Sequence, residues 1–297
     1  MDQRSAPITS VRNARIVEAR KLAQRKHRAR QDRFLVEGLQ LLGMAVEGAM
    51  ATGRVRPVEL FYCSELFAGE MAPRLLDALV GLGAEATQVA PHVLDTLSER
   101  EVSQGLACTF VASDLEASLE SMVQTADGSA GHADLVLVLD RLQDPGNLGT
   151  LIRTADAVGA SGVILIEPCV DPFDPKTVRG TMGSLFSVPV ARSSSPANLF
   201  DLLAINGVRA VGADGSADET VWTSSAFRGP TALVLGNEAR GLSDDVRERL
   251  TDCVSLPLLG SAESLNVAVA GGVLMYEWLR VNRLAAPSTG RRASQLG

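Results

Sequence analysis

Between residues 34 and 113, short apolar runs alternate with amphipathic ones. Phe34-Leu35-Val36 reads as a strand that turns at Gly38 into a helix. PVELFYCSE reads as a strand, MAPRLLDALVGLG as a helix, ATQVA as a strand, PHVLDTLSE as a helix and GLACTFVA as a strand. This alternation predicts a small α/β domain over residues 1–113. The pattern fades in DLEASLESMVQTADGSAGHAD, where Ser, Gly and Asp accumulate, so residues 114–132 are read as a linker. From residue 133 the pattern restarts with heavier strands. DLVLVLDRL is apolar at nearly every position, as expected of a parallel strand buried on both faces. Helix NLGTLIRTADAVGA, strand GVILIEP, KTVRGTMGSLFSVPVARSS as a helix into a strand, and helix SPANLFDLLAING follow. Strands VRAVGADG and TALVLGNEA, helix LSDDVRERLTD, strand CVSLPLL and a last helix from Val267 complete the series. Repeated βα units predict a parallel sheet covered on both faces over residues 133–285. The polar stretch 286–297 is read as a disordered tail.

Composition narrows this picture. With 297 residues there is room for two domains, and with 46% hydrophobic but only 4% aromatic residues the core must be aliphatic. A net charge of -7 is unlike that of a generic nucleic-acid binder. Locally the balance inverts: residues 12–33 carry nine Arg or Lys against one Glu and one Asp. Arg12, Arg15, Arg20, Lys21, Arg25 and Lys26 are the candidate RNA contacts, since a basic stripe neutralises phosphates whatever the base sequence. A solvated helix face gives the same pattern. The four cysteines, Cys63, Cys108, Cys169 and Cys253, form no CxxC pair, so neither a zinc site nor a redox motif is indicated and a reducing compartment is expected. The charged start has no apolar run, and no segment approaches the roughly 20 apolar residues of a membrane helix. A cytoplasmic protein, with no membrane and no metal partner, is expected.

Open α/β sheets bind ligands beyond the carboxyl ends of their strands. Three such ends are unusual here. DRLQDPGNLGTLIRTADAVGA places Asn147 and Arg153 after the first heavy strand. LVLGNEARGLSDD delivers Gly236-Asn237-Glu238; Gly236 to Gly241 has the spacing of a phosphate loop, but Leu242 stands where lysine must be, so this is not a Walker A motif. LPLLGSAESLNVAVAGG enters a buried helix through Ser264-Leu265-Asn266, residue types that cap helix N-termini. A turn, a surface arginine or a cap explains any one of these. Three together, each pairing polar groups with Gly-rich backbone, point to one site.

NLGTLIRTADAVGA, LVLGNEARGLS and LPLLGSAESLNVAVAGGVLMYEW, in this order, resemble the three motifs of the SpoU/TrmH family of RNA ribose 2′-O-methyltransferases, of the SPOUT class. RGTMGSLFSVPV resembles the family's linking segment. The N-terminal region, through ITSVRNARI and FLVEGLQLL, resembles the family's substrate-binding domain, of L30e-like fold. The resemblance implies S-adenosylmethionine as cofactor, a trefoil-knotted catalytic domain and a homodimer. It implies cofactor contacts at Gly236, Leu256 and Leu265, with Gly212, Leu235, Asn237 and Leu258 beside them. Asn147, Arg153, Glu238, Ser264 and Asn266 match the functional polar set. A guanidinium is a poor base, so Arg153 is expected to bind a phosphate and steady the developing alkoxide, with Glu238, solvent or phosphate as proton acceptor. Within the family a large N-terminal domain of this kind is commoner in ribosomal RNA than in transfer RNA enzymes, so the resemblance implies 23S rRNA as substrate. Transfer RNA, a role in antibiotic resistance and a non-catalytic RNA-binding module are the alternatives.

Overall fold

The computed structural model describes residues 6–98, 103–123 and 135–284. In chain order the N-terminal part holds α1 (Ala14–Lys21), α2 (Arg25–Gln31), β1 (Arg33–Glu37), α3 (Leu39–Thr52), β2 (Pro57–Tyr62), α4 (Met71–Gly81), β3 (Glu85–Gln88), α5 (Pro91–Asp95) and β4 (Leu106–Val111). The remainder holds α6 (Leu119–Val123), β5 (Leu135–Asp140), α7 (Pro145–Val158), β6 (Gly162–Ile166), α8 (Pro175–Gly180), β7 (Val190–Ser193), α9 (Pro196–Ile205), β8 (Arg209–Ala213), β9 (Thr231–Leu235), α10 (Asp244–Arg247), β10 (Asp252–Val254) and α11 (Val267–Leu279). Part of the segment read as a linker, 124–132, and the tail 286–297 lie outside the described residues.

The chain's contacts group into two units. The first comprises Met1–Ser118 together with Gln143–Asp156 and Cys169–Ala191; the second comprises Leu119–Leu142, Ala157–Pro168 and Arg192–Gly297. In the first, a four-stranded sheet has the order β1-β4-β2-β3, with β4 antiparallel to both its neighbours and β2 parallel to β3. Aromatic packing explains why residues 169–191 join it. The Phe34 ring lies 5.0 Å from Phe173 and 6.2 Å from Phe186, and Phe110 lies 5.4 Å from Phe186. Arg28, only 4% exposed, adds a buried ion pair: its Nε and Nη2 lie 2.8 and 2.7 Å from Asp171. Its Nη1 donates to the carbonyls of Leu22 and Ala23, at the C-terminal end of α1. Gly149 of α7 packs so closely on α8 that a Cβ there would meet Gly180 Cα and Thr177 O at 2.8 Å.

The second unit is built on the six-stranded sheet β10-β8-β9-β5-β6-β7, in which β5 is parallel to β6 and β9, and β8 is parallel to β9 and β10. Strands β5, β6 and β9 are buried at every position, as their uninterrupted apolar sequences require. Two elements are shorter than their patterns predict. LSDDVRERLTD yields one helical turn, Asp244–Arg247, and CVSLPLL is a strand only to Val254. Pro257 has no N–H for a ladder, and residues 257–266 run exposed into α11. No helix among the described residues is long and apolar enough to cross a membrane.

Candidate functional site

Strands β8, β9 and β10 end together, and beyond their carboxyl ends lies a cavity of about 420 Å³, inside the range of about 300–1,000 Å³ typical of small-molecule sites. Its walls come from three stretches: Ala213 to Gly215 after β8, Leu235 to Ala239 with Gly241 at and after the end of β9, and several residues between Val254 and Leu274, from β10 into α11. Leucine and valine side chains supply apolar faces. Gly236 supplies bare backbone: a Cβ there would run into the backbone of Gly241 and Leu242.

The loop after β9 is held tightly. Asn237 and Gly241 exchange two backbone hydrogen bonds of 2.9 Å, and Gly241 has a φ of +67°. The Asn237 side chain closes the loop from within: its Oδ1 accepts from the N–H groups of Ala239 and Arg240, at 3.0 and 3.1 Å. Its Nδ2 donates to the carbonyl of Arg141, at the end of β5, at 2.8 Å. Asn237 therefore serves the site as a brace as much as a wall.

The cavity's charged lining is acidic throughout. Asp214, Glu238 and Glu263 contribute, and no Lys or Arg does. Burial pushes the Asp214 carboxyl up, but hydrogen bonds from Ser216 and the Arg247 guanidinium outweigh it and hold the group below the usual carboxylate range. An adenosyl sulfonium fits such a site: apolar walls for the base, exposed backbone for its polar edge, and a negative field for a cation.

Of the expected cofactor contacts, Leu235, Gly236, Asn237, Leu256, Leu258 and Leu265 line the cavity. Gly212 stands behind the wall, packed so that a Cβ would strike the side chain of Leu250. Glu238 and Ser264 line the cavity and are exposed. Asn266 caps α11, its Oδ1 accepting from Ala268 N at 2.8 Å and Val269 N at 3.3 Å. Asn147 and Arg153 lie on α7, six residues apart, which is about 9 Å along the axis and on different faces. Asp144 caps this helix by accepting from Asn147 N at 2.9 Å, and that bond, with Lys176 nearby, holds the Asp144 carboxyl below its usual range. Arg153 is exposed, on a stripe with Thr150 and Ala157, and its side chain makes no hydrogen bond or ion pair among the described residues.

The basic stripe is thinner than its sequence. Arg15 pairs with Glu59 and Glu85 at 2.9 Å, Lys21 with Glu18 at 2.6 Å, and Arg25 donates to the Cys169 carbonyl. Arg12, Arg20, Lys26 and Arg30 are exposed with no side-chain hydrogen bond or ion pair among the described residues. Sequence reasoning missed Asp214 and Glu263 in the cavity. The acid two residues beyond Gly212 is the only signal that pointed there.

An α/β enzyme that holds a nucleoside-like ligand at the carboxyl edge of a parallel sheet is the class this geometry defines. Residues 134–276 match the model of the SpoU rRNA Methylase family, and residues 13–108 match the MRM3-like substrate binding domain. The chain is 35% identical to the 23S rRNA (uridine(2479)-2′-O)-methyltransferase of Streptomyces viridochromogenes, over 92% of its own length and 91% of that protein's. It is 32% identical to the 23S rRNA (guanosine(2553)-2′-O)-methyltransferase RlmP of Bacillus subtilis, over 91% and 97%. The AdoMet-bound rRNA methyltransferase from Sinorhizobium meliloti superposes with a TM-score of 0.80 at 31% identity, covering 93% of this chain and 97% of that one. The protein belongs to the SpoU rRNA methylase family. It is a methyltransferase with a C-terminal SpoU domain and an N-terminal substrate-binding domain.

Proposed function

We propose that the protein transfers a methyl group from S-adenosylmethionine to a ribose 2′-hydroxyl of 23S rRNA in the cytoplasm, as a homodimer. The observation that carries this reading is the cavity beyond β8, β9 and β10, with its apolar walls, its bare Gly236 backbone and its wholly acidic charged lining. The relatives act on 23S rRNA at a uridine in one case and a guanosine in the other, so the nucleotide is a separate question.

The cofactor supplies an electrophilic methyl already activated by positive sulfur, so the protein has two tasks: to orient the reactants and to manage one proton. Leu235, Leu256, Leu258 and Leu265 hold the cofactor between apolar faces, and the backbone of Gly236 takes its polar edge. Arg153 binds the phosphate beside the reacting ribose and steadies the oxygen as its proton leaves. Glu238, the one carboxylate of the expected set, lines the cavity and accepts that proton, with solvent or phosphate as the competitor. Asn266 positions the start of α11, and Ser264 lines the cavity just before it. The knotted path is part of the proposal; it is supported by a C-terminal segment that leaves the edge strand β10 and comes back to the cavity as Val267, Ala270 and Leu274. Dimerisation is supported by the outer face of α11, where Val269, Val273 and Tyr276 are exposed, with Leu265 just before them.

The test is methyl transfer from labelled S-adenosylmethionine to unmodified 23S rRNA and to bulk tRNA, with product mapped by reverse-transcription stops at low nucleotide concentration. One stop in 23S rRNA, lost in Arg153→Ala while cofactor binding persists, is the expected result. Label confined to tRNA would overturn the substrate, and full activity in Arg153→Ala would overturn the role of that residue. Light scattering should show a dimer that Val273→Glu converts to monomer.

A further inference from the structure

At the end of β5, Arg141 has a φ of +57°, a left-handed conformation that favours glycine and disfavours a long side chain. Strain of this kind persists where the surroundings impose it, and it clusters at functional sites. The surroundings here are well defined. Asp140, 1% exposed, accepts from Ser243 N at 2.7 Å. Its other oxygen lies 3.5 Å from Arg141 Nε, close enough for charge attraction but without a hydrogen bond. Arg141 Nε is itself buried, yet the side chain as a whole is 43% exposed. The guanidinium is thus held at its root beside a buried carboxylate and presents its outer nitrogens to solvent.

Its position is set by the cofactor loop. The Asn237 amide that receives Ala239 N and Arg240 N also donates to the Arg141 carbonyl. One side chain therefore ties Arg141 to the wall of the cavity. Arg240, at the tip of the same loop, is exposed and makes no side-chain hydrogen bond or ion pair among the described residues. Arg141 does not line the cavity. It stands outside the lining, with its side chain 43% exposed.

We propose that Arg141 is a substrate phosphate-binding residue, with Arg240 as its companion on the cofactor loop. Every ribose within an RNA strand is flanked by one phosphodiester on its 3′ side and another on its 5′ side, so a 2′-O-methylating site has a further phosphate to hold besides the one assigned to Arg153. A guanidinium whose Nε is buried beside a carboxylate still offers its planar, paired outer donors, which suit a phosphate. The proposal rests on the reading of the site as an RNA ribose methyltransferase. The cofactor carboxylate is the competing anion, and the absence of Arg141 from the cavity wall argues for the RNA instead.

The experiment compares Arg141→Gly, Arg141→Gln and Arg141→Lys with wild type, using 23S rRNA transcript in steady-state methylation, binding of the same transcript across a salt series, and calorimetric titration with S-adenosylmethionine. Arg141→Gly should raise the KM for RNA about tenfold, the loss of one charge-assisted contact, with kcat nearly kept. The slope of log affinity against log salt should fall by about 0.7–0.9, one phosphate. Cofactor affinity should not move. Glycine relieves the left-handed strain but leaves Asp140 buried without its cation, so RNA binding is compared at a temperature where wild type and variants are all folded. Arg141→Gln should match the glycine variant in RNA binding, and Arg141→Lys should keep the salt slope. Unchanged RNA binding in both the glycine and glutamine variants would overturn the proposal. So would weakened cofactor binding, which would give the guanidinium to the cofactor, or a lowered midpoint with RNA binding restored under stabilising conditions, which would make its role structural. A wild type that methylates no RNA would instead sink the functional reading on which all of this stands.

Discussion

The basic helices α1 and α2 and the loops at the carboxyl edge of the parallel sheet differ in how their cations are used. The helices belong to a run of nine Arg or Lys in 22 residues. Yet Arg15, Lys21, Arg25 and Arg28 are engaged with carboxylates or carbonyls of the protein itself. The sheet edge looks neutral or acidic in sequence. There, Arg141 and Arg240 are held by one asparagine with their charged ends outward. A cation's value to an RNA depends on what it already touches, and counting charges along a chain does not reveal that.

The sharpest way to break this comparison is at Arg28. Arg28→Ala leaves Asp171 buried without its guanidinium and should cost about 3–5 kcal/mol, measured by urea denaturation. Arg28→Met combined with Asp171→Leu removes the stranded charge and should recover part of that loss, the remainder reflecting the Leu22 and Ala23 carbonyls and the Phe173 N–H left without partners. If Arg28→Ala were as stable as wild type, the cation would belong with the free ones after all.

Next in size is Gly236→Ala. The added methyl meets the backbone of Gly241 and Leu242, which cannot swing aside as a side chain can. Overpacking of this kind costs about 1–3 kcal/mol, and here it should appear as roughly tenfold or greater loss of S-adenosylmethionine affinity by calorimetry, with circular dichroism unchanged. Gly212→Ala is the control. Its methyl strikes the Leu250 side chain behind the wall, so it should lower the melting temperature and spare the affinity. Equal loss of affinity in both variants would put Gly212 in the site.

These two glycines also show what the sequence makes legible. Leu235, Gly236, Leu256 and Leu265 stand out through the resemblance to the family's motifs, and the cavity forms between them. The sheet's buried strands are legible for a different reason: uninterrupted apolar runs leave few alternatives. The grouping of residues 143–156 and 169–191 with the N-terminal sheet carries no periodic signal. For 143–156 it depends on the close approach of Gly149 to Gly180, and for 169–191 on four rings, Phe34, Phe110, Phe173 and Phe186, meeting from distant positions. Only their scarcity hints at it, since the whole chain has eight phenylalanines. Arg141 was illegible because its meaning lies in a dihedral angle and a buried neighbour, neither of which has a sequence pattern.

A smaller effect separates capping from site chemistry at Asn266. Asn266→Ala removes the acceptor for Ala268 N and Val269 N and should cost about 1 kcal/mol of stability. Asn266→Asp keeps an acceptor at the same place, so its melting temperature should stay near wild type. If methyl transfer also stays near wild type in Asn266→Asp, the residue is a cap only. A loss of transfer at unchanged stability gives the amide a second duty toward the ribose or toward Arg153.

The smallest effects in stability bear most directly on the comparison. Arg20→Ala and Lys26→Ala each remove an exposed cation without a partner and should move unfolding by less than about 0.5 kcal/mol. Each should nonetheless lower the salt slope of RNA binding by about 0.7–0.9 if its charge meets a phosphate. Lys21→Ala, whose ammonium is already paired with Glu18, should lower the slope by less, because a cation held by a carboxylate is not neutralising a phosphate. Arg15→Ala should behave like Lys21→Ala, since two carboxylates already hold that guanidinium. Should all four variants lower the slope equally, the internal pairs would have to open on RNA binding. The line drawn between engaged and free cations would then describe the protein alone and not its complex.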